Sequence, residues 1–167
     1  MFAQHTLDTA PAASRPLMES TVAHLGHLPT AVALLAESPE MLGGFLHANG
    51  LFEASTLDPL AREVVVMTIA TRNGCRVCVA MHTGRLRQLD AEPALIAALR
   101  SGEPLVDPRL EALRRFTLRV LATAGEVPEG ELAEFLDAGF TTRNALEVVL
   151  GIGTYTMSTL ANRLVRA

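Results

Sequence analysis

Aromatic residues are scarce in this sequence, at 4% of the chain, and tryptophan is absent. No stretch alternates apolar and polar residues clearly enough to predict a half-buried β-strand. A β-sandwich is therefore not expected, whereas a chain rich in alanine and leucine suits packed helices. With 49% hydrophobic residues, 167 residues are enough for one domain with a substantial core. We predict an all-α, single-domain fold.

Two kinds of segment and a surplus of basic residues are also missing. No run approaches the roughly 18 apolar residues of a membrane-spanning helix. The first residues, MFAQHTLDTAPAASRP, lack the basic start and the apolar centre of a signal peptide. The formal net charge is −4, without the basic surplus of a nucleic-acid-binding domain. We therefore expect a cytoplasmic protein that binds neither membranes nor nucleic acid.

Cysteine is limited to two residues, Cys75 and Cys78, which form a C-x-x-C pair. Upstream, Asp58-Pro59 marks a helix start, an apolar run follows, and Asn73-Gly74 marks a break just before the cysteines. This pattern predicts a buried helix over 59–72, a tight turn, and a second helix over 75–89. Two cysteines in the first turn of a helix can close a disulfide without large backbone movement. In a reducing compartment, this spacing favours redox chemistry over a structural bridge.

Two further titratable residues fall close to the cysteines on these helices. His82 lies one turn after Cys78, about 40° away around the helix, so its imidazole can take a proton from that thiol. Glu63 precedes the apolar run, and we expect its carboxyl to be half buried and able to pass protons near neutral pH. The helix dipole favours a thiolate at Cys75, whereas His82 favours one at Cys78. We take Cys78 as the nucleophile because a neighbouring base is the more directed effect.

Other helices are predicted from capping residues and helical periodicity. They cover residues 14–24, 29–36, 38–50, 93–100, 128–137 and 142–165, and a long mid-chain helix begins at Asp107-Pro108. We expect a flexible N-terminal arm at 1–14 and a single helical domain at 15–167. On the last helix, Tyr155 and Asn162 either line a pocket or serve close helix packing.

The spacing of Glu63, Cys75, Cys78 and His82 resembles that of the alkylhydroperoxidase D-like (AhpD-like) group of the carboxymuconolactone decarboxylase family. The flanking segments LDPLAREVVVMTIATRNGC and VPEGELAEFLDAGFTTRNALEVVLGIGTYTMSTLANRL have the character of this family as well. The resemblance extends from about Leu28 onward and implies an AhpD-like helical fold. It also implies that Cys78 is the peroxide-attacking thiol, that Cys75 resolves it, and that Glu63 and His82 form a proton relay.

By this resemblance the protein is an antioxidant hydroperoxidase that cycles between a dithiol and a disulfide. Its substrate is a hydroperoxide, its reductant is an external lipoyl-type or thioredoxin-type dithiol, and no bound cofactor or metal is required. The family implies a homo-oligomer, either a trimer or a hexamer built from dimers or trimers, and a mean hydropathy of +0.28 fits buried subunit contacts. Val77 stands where the best-known members carry a second histidine, so Cys75 lacks an adjacent base of its own.

Three alternatives stay open at this point. A lactone decarboxylase is the other chemistry of the family, although it needs no thiol pair. A non-enzymatic redox sensor would use the disulfide to change shape or partner. A structural zinc site would need four ligands, but the sequence has no other cysteine, and the remaining histidines show no ligand spacing to the pair. These histidines are His5, His24, His27 and His47.

Overall fold

The computed structural model describes residues 2–167, which form nine α-helices and no β-strand. The helices are α1 Arg15–Leu25, α2 Thr30–Leu35, α3 Pro39–Glu53, α4 Pro59–Arg72, α5 Arg76–Gln88, α6 Pro93–Ser101, α7 Pro108–Thr123, α8 Glu129–Asp137 and α9 Thr142–Val165. The predicted all-α fold is confirmed. None of the helices in this part of the chain has the length and apolar character needed to span a bilayer.

Helix starts follow the capping residues of the sequence. The side chains of Ser38, Asp58, Asp107 and Thr141 each accept a hydrogen bond from the backbone N–H three residues later. At the first three of these starts a proline follows the cap. Proline suits this position because its missing N–H would have no partner inside the helix. Local chemistry therefore explains why these boundaries are predictable.

Helix α4 lies at the centre of the molecule and packs against α3, α5, α6, α7 and α9. Every residue from 63 to 70 is buried, because neighbouring helices cover all sides of this stretch. A helix in such a position needs apolar side chains all round. The one uncharged polar residue between positions 63 and 70, Thr68, donates its hydroxyl to the carbonyl of Val64 in the same helix at 2.7 Å. The apolar run seen in the sequence is thus the core of the fold.

Helix α9 approaches α3 closely at Gly151. A Cβ atom at this position would lie 2.6 Å from the ring of Phe52, a separation that packed side chains do not adopt. Phe52 is fully buried and meets Tyr155 edge to face, with ring centroids 5.9 Å apart. The glycine therefore allows α9 to lie close to Phe52 of α3.

The segment before α1 is not helical but makes specific contacts. The backbone N–H of His5 donates to the carbonyl of Ala33 at 3.1 Å, and the Ser14 hydroxyl donates to the carbonyl of Ala36 at 2.6 Å. Ala10 is buried in a small cluster with α1, α2 and α3. These contacts hold the segment against α2. The flexibility expected for residues 1–14 stays a prediction, and Met1 lies outside the described residues.

Glu147 joins the start of α9 to the loop that precedes α4. Its carboxylate accepts bonds from the backbone N–H and the hydroxyl of Thr56, at 2.9 and 2.8 Å, and from the amide of Asn144 at 2.9 Å. Burial raises the pKa of this carboxyl, but the bonds from Thr56 and Asn144 outweigh that effect. The pKa of Glu147 therefore lies below its ordinary value of 4.5.

We expect Glu147→Gln to destabilise the protein by about 1–3 kcal/mol near neutral pH, because buried donors lose a charged acceptor. A lowered folded-state pKa means that this stabilisation is present above pH 4.5 and is lost as pH falls through the folded pKa. The difference in the free energy of unfolding between Glu147→Gln and wild type should therefore become smaller at acidic pH. Urea unfolding across this range measures it, with exposed Glu126→Gln as the control. A difference that is independent of pH would contradict the assignment.

Candidate active site around the Cys75–Cys78 disulfide

The turn between α4 and α5 brings the two cysteines together. Gly74 adopts a left-handed conformation with φ of +65°, and the Cys75 N–H donates to the carbonyl of Ala70 at 2.9 Å. Cys75 and Cys78 form a disulfide, with their Cα atoms 5.4 Å apart. The predicted helix-turn-helix around the C-x-x-C motif is confirmed. Each end of the second helix differs by one residue: α5 begins at Arg76, because Cys75 keeps an extended backbone as the N-cap residue, and it ends at Gln88, with Leu89 as the C-cap residue.

Both cysteines are buried, with 1% of Cys75 and 4% of Cys78 exposed. Cys75 sits at the N-cap of α5, but its side chain accepts no capping hydrogen bond from the helix. Cys78 lies one turn into the helix and packs with Ala70 of α4. The N-terminal position of Cys75 thus brings no direct N–H contact to its sulfur.

Glu63 and His82 form a buried pair across the α4–α5 interface. Oε2 of Glu63 lies 2.8 Å from Nδ1 of His82. Glu63 is only 3% exposed, so the expectation of a half-buried carboxyl was wrong. The reason is the central position of α4: neighbouring helices also cover the face that carries Glu63, which the sequence pattern predicted to be partly exposed. The contact implied by the family resemblance is present, and the relay role stays a prediction.

A cation lies near this buried carboxylate. Nε of Arg85 is 4.0 Å from Oε1 of Glu63, and its guanidinium also approaches Glu53 at 3.7 Å. Burying an isolated carboxylate is costly, and a nearby positive charge offsets part of that cost. Glu63 therefore has a hydrogen-bond partner on one oxygen and a positive charge near the other.

Tyr155 of α9 packs edge to face against the His82 ring, with centroids 5.4 Å apart. Its hydroxyl donates to Oδ1 of Asn49 in α3 at 2.7 Å. Burial raises the pKa of Tyr155, and the negative charge of Glu63 raises it further. The phenol therefore stays neutral, and its ring limits rotation of the imidazole sterically.

Within residues 2–167, His82 makes no hydrogen bond to either cysteine. The polar neighbour of Cys78 is instead Asn162, whose Nδ2 lies 3.4 Å from Sγ. The same face of α9 binds the turn before the cysteines: Thr159 accepts a bond from the Asn73 amide at 2.8 Å. The sequence left open whether Asn162 lines a pocket or serves helix packing, and it did not predict the contact with Cys78. The available signal was the continuation of the buried stripe through Gly151, Tyr155 and Ser158 to Asn162.

In the described part of the chain, no three side chains of His, Cys, Asp or Glu cluster as they would around a metal ion. The two cysteines that a zinc site would need are joined to each other. The four residues singled out in the sequence therefore form two pairs, a disulfide and a carboxylate–imidazole pair.

The segment that carries the candidate site is similar to a known protein family. Residues 39–118 match the model of the carboxymuconolactone decarboxylase family, and this segment contains Glu63, Cys75, Cys78 and His82. No curated protein sequence matches the chain significantly.

Solved structures show the same fold. An AhpD core structure of an uncharacterized peroxidase-related protein from Ralstonia eutropha JMP134 aligns with a TM-score of 0.84 at 22% identity, over 98% of this chain and 88% of that one. An uncharacterized peroxidase-related protein from Silicibacter sp. TM1040 aligns with a TM-score of 0.80 at 21% identity, over 99% of this chain and 87% of that one.

A third structure comes from Agrobacterium tumefaciens and is a protein of unknown function named as a candidate antioxidant defence protein AhpD. It aligns with a TM-score of 0.64 at 18% identity, over 79% of this chain and 90% of that one. These identities are low, so the three structures support the fold alone. Residues 39–118 are therefore similar to the carboxymuconolactone decarboxylase family, and the fold is that of the AhpD-like structures.

Proposed function

We propose that this protein is a thiol-dependent hydroperoxidase in which Cys75 and Cys78 alternate between dithiol and disulfide. The observation that carries the proposal is a disulfide one helical turn from a buried carboxylate–imidazole pair. A family match and an AhpD-like fold support a peroxidase-related antioxidant role in general.

The cycle begins with the Cys78 thiolate. Its sulfur attacks one oxygen of the hydroperoxide, the O–O bond breaks, and the second oxygen leaves as an alkoxide or hydroxide that takes up a proton. Cys78 becomes a sulfenic acid, two electrons having passed from sulfur to the peroxide. The Cys75 sulfur then attacks Cys78, the S–S bond forms, and the sulfenic oxygen leaves as water.

The proposed proton relay uses the buried pair. His82 holds the proton that the leaving oxygen needs and recovers it when Cys78 next ionises. The hydrogen bond that His82 Nδ1 donates to Glu63 fixes the imidazole orientation and stabilises the protonated ring, as an orienting carboxylate does in other relays. The ring of Tyr155 keeps the imidazole from turning away.

The cycle closes with an external dithiol, which we propose is of the lipoyl or thioredoxin type. Its thiolate attacks the Cys75–Cys78 disulfide, and exchange leaves both cysteines reduced and the donor oxidised. Assembly as a homo-oligomer is likewise a proposal. It is supported by large apolar side chains exposed along α9: Leu146, Val149, Leu160 and Leu164.

Steady-state peroxide consumption with several dithiol donors tests the proposal. We expect turnover with at least one donor and a fall from two free thiols to none per chain after mild peroxide. Catalase-free buffer without protein gives the background rate. Disulfide formation without turnover on any donor would favour a redox sensor. One stoichiometric zinc and no disulfide would refute the redox role.

A further inference from the structure

Asn162 places a buried amide against the sulfur of Cys78. Nδ2 lies 3.4 Å from Cys78 Sγ and 3.4 Å from the hydroxyl oxygen of Ser158. Asn162 is 5% exposed, and its Oδ1 has no hydrogen-bond partner among the described residues. Leaving the oxygen of a buried amide without a partner costs free energy. The hydrogen bonds that Asn162 makes in this position are therefore those of its nitrogen.

Chemistry supports this orientation of the amide. A disulfide sulfur carries no hydrogen and has nothing to donate to an amide oxygen, but it can accept weakly from an N–H group. With the nitrogen towards Cys78, the amide makes an attractive contact. Asn162 therefore presents a donor to the sulfur of Cys78.

The donor is held in place by the surrounding helix face. One residue to the C-terminal side, Arg163 donates to the backbone carbonyl of Asn73 at 2.6 Å, and Thr159 accepts from the Asn73 side chain at 2.8 Å. Both bonds tie α9 to the turn that leads into Cys75. A donor fixed in advance stabilises developing charge without a cost of reorganisation.

Reduction of the disulfide changes the acceptor that the Asn162 amide faces. A Cys78 thiolate is a charged acceptor in a buried position, where an unpaired charge is unfavourable. Hydrogen bonds to a charged partner are about twice as strong as neutral ones. His82 is engaged with Glu63 and makes no bond to Cys78 in the described chain, which leaves Asn162 as the side-chain donor at this sulfur.

We propose that Asn162 is a further catalytic residue, whose side-chain amide stabilises the Cys78 thiolate by a direct N–H···S hydrogen bond. The inference rests on the proposed function in taking Cys78 as the attacking thiol. It goes beyond the Glu63–His82 relay, because Asn162 belongs to α9 and contacts the reacting sulfur itself.

The first test measures iodoacetamide alkylation of Cys78 against pH in a Cys75→Ser background, where only one thiol reacts. Asn162→Ala should raise the ionisation midpoint of the thiol by about 1–2 pH units. Thiolate nucleophilicity rises with basicity (β of about 0.4–0.5), so the variant should react about three- to tenfold slower below both midpoints and faster above both. Such a crossing is not expected from a loss of packing alone.

Asn162→Asp keeps the side-chain volume but replaces the amide donor with a carboxylate. It should raise the midpoint at least as far as Asn162→Ala does, and it tests the donor even where truncation prevents folding. The matched control is Thr154→Val, another buried polar residue of α9, whose hydroxyl donates to Leu150 of its own helix at 2.8 Å. The control should leave the midpoint unchanged.

The second test equilibrates the protein with reduced and oxidised glutathione, with both cysteines present. Two glutathione thiols reduce the Cys75–Cys78 bond and form one glutathione disulfide. Stabilising the thiolate favours the reduced protein, so Asn162→Asp should be harder to reduce than wild type. Unchanged midpoints and an unchanged equilibrium in both variants would overturn the proposal. Shifted midpoints in a protein that consumes no peroxide would support the role of Asn162 and refute the peroxidase function instead.

Discussion

Cys78→Ser is expected to abolish peroxide consumption. A serine hydroxyl cannot be oxidised to a sulfenic acid, and the proposed cycle depends on that intermediate. Cys75→Ser is expected to keep the first step and lose the second. It should consume one equivalent of peroxide and stop as a sulfenic acid at Cys78. Mass spectrometry after dimedone trapping, beside a steady-state peroxide assay, measures both outcomes.

The two single variants are controls for each other, since both remove the disulfide and both replace a buried cysteine. A difference between them therefore reports the roles of the sulfurs and not the loss of the cross-link. A trapped sulfenic acid in Cys78→Ser, with none in Cys75→Ser, would reverse the assignment. The position of Cys75 at the N-cap of α5 would then outweigh the contacts of Cys78.

Removing either member of the Glu63–His82 pair is expected to lower peroxidase turnover by about 10²–10⁴-fold, the usual contribution of a positioned acid or base. His82→Ala removes the group that carries the proton. Glu63→Gln keeps the shape of the side chain but removes the charge that orients and stabilises the imidazolium. Stopped-flow oxidation with separate sulfenate and disulfide readouts measures the loss and assigns it to a step.

Stability must be controlled in this experiment, because His82→Ala leaves a buried carboxylate with Arg85 as its nearby cation at 4.0 Å. His82→Gln retains a donor for Glu63 and separates loss of proton transfer from loss of folding. His47→Ala removes an exposed histidine on α3 and should have no effect on turnover. Wild-type rates in folded His82→Gln and Glu63→Gln would leave the relay without support.

Much of the fold follows from local sequence signals. Caps such as Asp58 and Asp107, each followed by proline, begin helices where the sequence predicts them, because side chain and backbone meet within one turn. The end of α1 at Gly26 follows from the left-handed conformation that glycine adopts readily. The start of α5 differs by one residue, since an N-cap takes part in the first turn without being helical.

In the candidate site too, some features were predictable from local sequence and others were not. Spacing on one helix predicted that Cys75, Cys78 and His82 lie together, because 3.6 residues per turn determines which side chains share a face. The full burial of Glu63 and the contact of Asn162 with Cys78 depend on packing between elements far apart in sequence. Periodicity shows which face of a helix is buried but not which partner covers it. The sequence by itself therefore determined the helices and the dithiol motif, whereas the packing of α4, α5 and α9 decided which groups meet the reacting sulfur.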